Sequence, residues 1–362
     1  HRDLHSFPTR RSSDLESSLL KSSGLSRQRV ITPEVLEQAE QNIRSKSYIR
    51  DCAIIPLDSE SILIQIEEGK MTFFEGMLGM TEANGKRQLS GLVRIDFLNL
   101  WGSDRAIKLY WRQIPTKLSE LTLGYHESGH PDVPIAADFA LNRSTQDSTW
   151  IKSSWGADIF YQSLYQRVGI GGQMVSILPG TGFSAISRNQ SSSLGAFWRY
   201  KRLSGDRFPT GGTQVDIRYD YIFESKRQYN SLKTDTKNYM QISSRWIGFL
   251  GTHVRNYDTT QIESYNLFTM GGYGSLRGFR EDEFRSRRLA WANAEIQYML
   301  DLNSMFYGFY DHGLTEIEPN KLKMDNFGIG IGVKLGTKLG IMSIEYGLGY
   351  RDNRFSDIGL GM

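Results

Sequence analysis

The sequence predicts a mainly β protein: a 16-stranded antiparallel transmembrane β-barrel preceded by a small α/β domain. Three observations predict this fold. Beyond Lys70, apolar and polar residues alternate, which is the period of a β-strand. The alternating segments approach the roughly 9–11 residues that a tilted strand needs to cross a bilayer. The connections between them alternate between short and long, as turns and loops do on the two sides of a membrane barrel.

The composition permits this fold and excludes others. A chain of 362 residues can form several ordinary domains or one large barrel. Its formal net charge is +3, from 43 basic and 40 acidic residues, so nothing indicates a nucleic-acid surface. No apolar run approaches the roughly 18 residues of a transmembrane helix, whereas a barrel strand needs only one apolar face. The single cysteine, Cys52, excludes an intrachain disulfide and a multi-cysteine zinc site.

The chain divides into three parts. Residues 1–15, HRDLHSFPTRRSSDL, fit nothing downstream and are interpreted as a translated sequencing adapter, so any natural signal peptide would lie outside this sequence. Residues 16–70 predict the α/β domain. Thr32 as N-cap and Pro33 at the first helical position begin a helix, and the strand-like runs CAIIPL and SILIQIE follow it. Residues 71–362 predict the barrel.

The barrel segments have one apolar and aromatic face and one face of charged residues or glycine. In LAWANAEIQYML, Ile296 and Tyr298 share the apolar face, and Asn293, Glu295 and Gln297 share the polar one. A soluble sandwich would have shorter strands and an apolar inner face. Fifteen strands can be counted, and SDIGLGM begins another; because single-chain bacterial barrels have even numbers, sixteen are expected, with the last one truncated.

The connections are predicted from the polar and glycine-rich stretches between these segments. Short turns are expected at QSLYQ, LGT, LDLNS and GTKLG. Long loops are expected at PGTGFSAISRNQ, SKRQYNSLKTDTKN, the GGYGSLRGF stretch and LTEIEPNKLKMD.

Three segments together resemble one family. The loop GSLRGF, the strand WANAEIQY and the segment FYDHG are similar to the outer-membrane assembly superfamily that includes BamA, TamA and the two-partner secretion transporters. In that family a (V/L)RG(F/Y) motif lies at the tip of the sixth extracellular loop, which folds into the barrel lumen. Acidic and aromatic residues of the inner wall hold its arginine, including a strand with the pattern F-x-D-x-G. The resemblance implies a lumen loop motif formed by Leu276, Arg277, Gly278 and Phe279. It also implies a set of partners for Arg277, namely Glu295, Phe309, Asp311 and Gly313.

The resemblance extends to other parts of the chain. FLNLWGSDR resembles the family's periplasmic turn after the second barrel strand. Residues 16–70 resemble the end of a POTRA domain, the periplasmic repeat that precedes this barrel. The chain departs from the family pattern at both ends, since further POTRA domains are not present and the last strand stops before its usual aromatic end.

Elementary chemistry gives the loop motif a physical purpose. A planar guanidinium can bond two carboxylates at once, so Arg277 would hold the loop to Asp311 and Glu295 on the polar wall. The alternative is a solvated loop whose arginine contacts nothing. The loop can bend inward because its glycines accept backbone angles that other residues avoid; these are Gly271, Gly272, Gly274 and Gly278.

Two enzymatic interpretations are disfavoured. HESGH, residues 126–130, matches the H-E-x-x-H zinc-protease pattern, but that chemistry needs a helix. Here a strand-like run precedes the motif, Gly129 interrupts it and Pro131 follows it, so a turn between the fourth and fifth barrel strands is expected instead. The glycines of GGYGSLRG have the wrong spacing for a phosphate loop. No enzyme activity, metal or cofactor is expected.

The resemblance implies a function in the bacterial outer membrane, with the POTRA domain in the periplasm. The first interpretation is an assembly factor that folds and inserts β-barrel proteins through a lateral seam between its first strand, near MTFFEGMLGM, and its last. Its partners would be the lipid bilayer, unfolded barrel clients, and periplasmic or lipoprotein accessory subunits. The alternative is a two-partner-secretion-type pore that translocates one polypeptide, and a third reading is a passive structural barrel.

Overall fold

A computed structural model describes most of the chain. The described residues are 19–20, 23–25, 32–44, 46, 48–58, 61–83, 86–114, 118–129, 133–146, 149–180, 187–205, 208–318, 321–337, 341–352, 354–355 and 359–361. The adapter interpretation of residues 1–15 concerns a segment outside these ranges.

A small α/β unit precedes the barrel. Helix α1 (Pro33–Arg44) begins after Thr32, whose hydroxyl accepts a hydrogen bond from the Val35 amide at 3.4 Å. Strands β1 (Ile49–Pro56) and β2 (Ile62–Glu68) form an antiparallel hairpin, and α1 packs on it around a buried apolar core. Among the described residues, no helix is long and apolar enough to cross a membrane.

The rest of the chain forms one antiparallel sheet that closes into a barrel. Its strands are, in chain order, β3 Thr72–Ala83, β4 Lys86–Leu100, β5 Arg105–Ile114, β6 Leu118–Glu127, β7 Ile135–Gln146, β8 Trp150–Gln162, β9 Gln166–Pro179, β10 Asn189–Leu203, β11 Gly212–Glu224, β12 Arg227–Gln241, β13 Trp246–Tyr257, β16 Arg288–Asp301, β17 Ser304–Glu318, β18 Lys321–Gly336, β19 Ile341–Arg351, β20 Arg354–Phe355 and β21 Gly359–Gly361. Two further short strands, β14 Phe268–Met270 and β15 Phe284–Ser286, form a separate two-stranded sheet.

The predicted fold class is confirmed. Strands β20 and β21 both pair with β19, so they are two segments of one last strand and the barrel has sixteen strands. In the strand order the last strand lies beside β3, the first. The end of the barrel at which β3 begins is called here the α/β end, and the opposite one the loop end.

Alternation places the apolar side chains outside. In β16, Asn293, Glu295 and Gln297 are buried toward the lumen, whereas Ile296 between them is 51% exposed on the outer face. Many large apolar side chains are exposed in this way around the barrel. An apolar exterior and a polar interior are the inverse of a soluble barrel and are typical of a bilayer-spanning one.

Three of the predicted connections are wrong. Most of SKRQYNSLKTDTKN is the regular strand β12, and LTEIEPNKLKMD consists mainly of the ends of β17 and β18. LGT lies inside β13, and the chain turns instead at residues 242–245. The physical reason is that backbone pairing continues beyond the apolar belt, where both faces of a strand can be polar. The turns at QSLYQ and LDLNS do join consecutive strands, as does the one within FLNLWGSDR, whereas most of GTKLG lies outside the described residues.

Candidate functional site: an inward loop held by one arginine

The loop between β13 and β16 carries its own small core. The hairpin β14–β15 forms its stem, and Leu276 and Phe279 lie between the two strands in sequence. Phe279 contacts the Phe284 ring edge-on, with 5.0 Å between ring centres. The buried cluster consists of Met270, Leu276, Phe279, Phe284, Leu289 and Trp291, so the loop is packed against the inner face of β16 rather than solvated.

Three of the four glycines that were predicted to bend the loop have a positive φ. Gly271, Gly272 and Gly278 have φ values of 126°, 86° and 87°, which only glycine adopts without strain. Gly274 has no positive φ and no atom near the place of a side chain, so its predicted role in bending the loop is wrong. The Ser275 hydroxyl, which accepts a hydrogen bond from the Gly271 amide at 2.8 Å, helps to close this turn.

Arg277 meets Asp311 of β17 through three hydrogen bonds. Its Nε and Nη2 donate to the two oxygens of the carboxylate, each at 2.7 Å, and its backbone amide donates to Oδ2 at 3.0 Å. Asp311 is completely buried and Arg277 is 7% exposed. A bidentate, desolvated pair of this kind fixes both the position and the orientation of the loop.

Two more carboxylates surround the same guanidinium. Arg277 Nη1 donates to Glu295 on β16 at 2.7 Å and to Glu345 on β19 at 3.4 Å. The Tyr307 hydroxyl also donates to Glu345. Burial alone would lower the pKa of Arg277, but the hydrogen bonds to Asp311 and the nearby negative charges raise it above its usual value. The arginine therefore stays charged.

The wall is shaped to admit the loop. The Phe309 ring lies beneath the guanidinium, with 3.8 Å between Cζ and the ring centre, a cation–π contact. A Cβ at Gly328 would collide with the Arg277 carbonyl oxygen, and one at Gly313 would collide with Leu276. Glycine at these wall positions allows the loop backbone to approach closely.

A second part of the loop reaches two sides of the barrel. Glu281 and Asp282 lie 3.6 and 3.5 Å from the guanidinium of Arg112 on β5. Glu283 bonds Arg351 on β19 at 2.9 Å. The acidic run REDE therefore spans from the third strand of the barrel to the fifteenth.

The structure thus brings together the residues that the sequence singled out and adds two that it missed. Glu345 and Arg112 were not among the predicted partners of the loop. Glu345 had a visible signal, since it is the only carboxylate on the polar face of IMSIEYGLGY. Arg112 had none, because its contact with the loop depends on closure of the barrel.

HESGH does not form a metal site in the described residues. His126 and Glu127 belong to β6, so their side chains point to opposite faces. His126 Nδ1 lies 2.7 Å from Asp138, and Glu127 bonds Arg105 at 2.9 Å. His130 lies outside the described residues. No group of three or more potential ligand side chains is found in the part of the chain that the structure describes.

Fold and site together define a class: an outer-membrane-type β-barrel with an arginine-anchored loop inside its lumen. Comparison with known families identifies it further. Residues 137–358 match the Omp85 superfamily domain, which is more than half of the chain, so this protein belongs to the Omp85 superfamily. It is accordingly an outer-membrane barrel of the class that inserts or translocates proteins.

Solved structures share the fold at low sequence identity. BamA from Haemophilus ducreyi lacking POTRA domains 1–3 is 15% identical, with a TM-score of 0.59 over 95% of this chain and 80% of that one. CdiB from Acinetobacter baumannii is 14% identical, with a TM-score of 0.62 over 94% and 68% of the two chains. CdiB from Escherichia coli is 13% identical, with a TM-score of 0.61 over 97% and 73%. No curated protein sequence matches the chain.

Proposed function

We propose that this protein is a non-enzymatic, BamA/TamA-like assembly factor that folds and inserts β-barrel proteins into the bacterial outer membrane through a lateral seam. The seam is the edge between β3 and the last strand. In the strand order this edge is where the first and last strands of the barrel meet. If the pairing at this edge opens, its backbone donors and acceptors become available to an incoming strand.

The observation that carries this proposal is the anchoring of Arg277 on the side of the barrel that ends at the seam. Its three carboxylates lie on β16, β17 and β19, and β19 is the neighbour of the last strand. The acidic run of the same loop contacts β5 on the other side of the seam and β19 again. A loop fixed to both sides would hold the seam in register while a client strand is added.

The α/β unit, interpreted as the end of a periplasmic POTRA domain, supports the same proposal. It is tied to the barrel by Lys46 Nζ, 2.5 Å from Asp104 in the turn after β4, and by Gln38, 3.1 Å from the Tyr165 hydroxyl. An unfolded client could add a strand to the edge of its β1–β2 sheet. With the POTRA domain in the periplasm, the loop end of the barrel would lie at the cell surface.

The proposal is tested by reconstituting the protein in liposomes and measuring how fast an unrelated, urea-unfolded outer-membrane barrel folds into them. The expected result is acceleration that Arg277→Ala abolishes. Arg218→Ala, which removes a partly buried arginine of the inner wall away from the loop, is the matched control and should keep the acceleration. No acceleration by the wild-type protein would overturn the proposal.

The secretion pore is kept as a second candidate because of a cavity at the α/β end of the lumen. This cavity, about 1580 Å³, lies between α1 and the inner faces of β5 to β11. A polypeptide that entered the lumen from the α/β end would pass through it. Large ion conductance and export of one polypeptide, without acceleration of client folding, would favour this candidate.

A further inference from the structure

The outer face of the barrel carries a groove near its loop end, across strands β6 to β11. Its volume is about 700 Å³, within the range of ligand sites. The apolar side chains around it are each about half exposed; they are Leu121, Leu123, Leu141, Trp155 and Met174. Because these side chains are on the outward positions of their strands, the groove opens toward the membrane and not into the lumen.

The strand register arranges the groove in two rows. The row nearer the loop end is polar: Arg143 pairs with Ser153, Ser153 with Ser176, and Ser176 with Gln190. The next row is mainly apolar: Leu141 pairs with Trp155, Trp155 with Met174, and Met174 with Ser192. Successive outward rows are about 7 Å apart along a strand, and the polar row spans about 14 Å across its four strands.

Arg143 is the charged group of this surface. It is exposed, and within the described residues it has no hydrogen bond, ion pair or ring contact. The other charged residues on outward positions of β6 to β10 are Glu127 and Arg202, both at the α/β end. A lone cation above an apolar groove is otherwise unexplained, since a charge near the apolar belt is costly unless something pairs with it.

We propose that this groove binds one anionic membrane lipid. The headgroup would be held by Arg143 and the hydroxyl and amide groups of the polar row, and an acyl chain would lie along Leu141, Trp155 and Met174. Charge and polarity favour a lipid as the occupant, because the surface changes from cationic and polar to apolar over one row. These two rows complement the anionic headgroup and the apolar acyl chain of such a lipid. Trp155 is a residue type enriched where headgroups meet acyl chains. The orientation proposed above would make this a lipid of the outer leaflet.

Native mass spectrometry of the purified full-length chain in detergent tests the proposal, with phosphatidylglycerol and phosphatidylcholine of identical acyl chains as probes. We expect phosphatidylglycerol to be retained about fivefold better, which is the effect of one basic residue near a membrane surface. Arg143→Ala should remove the preference and Arg143→Lys should keep it. Arg202→Ala, a basic residue at the other end of β10, is the control and should leave it unchanged. Equal retention of the two lipids by the wild type would overturn the proposal.

A second variant tests the groove itself. Ser192→Trp should fill it and lower the retention of both lipids, whereas Ala196→Trp, an outward position farther along β10, should not. If Ser192→Trp instead dissociated a dimer and lipid retention were unchanged, the groove would be an interface between two copies and the lipid proposal would be wrong. These measurements use no client, so their outcome is independent of the folding assay.

Discussion

The two inner walls of the barrel handle charge in opposite ways. The wall of β16, β17 and β19 buries Glu295, Asp311 and Glu345, and the cation that bonds all three comes from the loop, as Arg277. On the wall of β8 to β11 the acids and bases belong to the strands themselves. Arg218 on β11 bonds Asp158 of β8 and Asp220 of its own strand, each at 2.8 Å.

The two walls also differ in their exposure to solvent. Arg199, on the self-paired wall, is about one-third exposed and lies 3.3 Å from Asp216 and 4.6 Å from the centre of the Phe197 ring. Charges in a wet lumen can exchange partners with little cost, whereas desolvated carboxylates cannot. The wall of β8 to β11 therefore pairs its charges by itself, whereas the wall of β16, β17 and β19 has a cation for its carboxylates only when the loop is docked.

The largest expected effect comes from removing the docked cation. Arg277→Ala leaves three buried carboxylates without their shared partner, which should lower the free energy of unfolding by about 3–5 kcal/mol. Arg218→Ala should cost less, because Arg199 lies 3.8 Å from the same Asp158. Thermal unfolding of both variants in detergent measures this. Equal destabilisation would show that the two walls do not differ.

The stability lost on neutralising each carboxylate should follow the number and length of its hydrogen bonds to Arg277. Asp311→Asn should cost most, about 2–3 kcal/mol, because Asp311 accepts three N–H bonds in a fully buried position. Glu295→Gln should follow, and Glu345→Gln, with a 3.4 Å contact to Arg277, should cost least. The same unfolding measurement tests the order. If Glu345→Gln were the most damaging, Tyr307 rather than Arg277 would be the group that organises the wall.

Space for the loop can be tested with an inward glycine of β18 and an outward glycine of β17. Gly328→Ala places a Cβ against the Arg277 carbonyl and should destabilise the docked loop by about 1–3 kcal/mol. Gly308→Ala is the control, because its Cβ would meet no heavy atom closer than 4.0 Å. Susceptibility of the loop to added protease should rise only in the first variant. Similar protease resistance in both would mean that the wall gives way and does not guide the loop.

The smallest effect is expected where the loop meets solvent. Glu283 and Arg351 are 25% and 42% exposed, so Glu283→Gln should change the free energy of unfolding by only about 0.2–1 kcal/mol. High salt should reduce even that difference, since exposed charges are screened. A loss as large as that of Arg277→Ala would place the anchor of the loop at its acidic run instead.

Several features of the site could be predicted because they depend on local pattern. The period of two assigned Glu295 to the inner face of β16, and the F-x-D-x-G resemblance pointed to Asp311. Polar composition misled the loop predictions, because SKRQYNSLKTDTKN looks like a loop but pairs as a strand. Gly274 and Gly328 also show what the sequence does not reveal, since the first was assigned a role that it does not have and the second has a role that was not predicted. A glycine in a sequence does not reveal whether it supplies a backbone angle, makes room for a neighbour or does neither.

By itself, the sequence determined the strand period and the polar inner face, since each follows from neighbouring residues along the chain. The sixteen strands were expected from the even number typical of such barrels, and the loop arginine from the resemblance to a family. Only the tertiary structure decided that Glu345 completes the set of carboxylates and that Arg112 receives the acidic run. It also decided that four strands align Arg143 with a row of polar side chains. Those contacts depend on strand register and barrel closure, which bring together residues far apart in the chain.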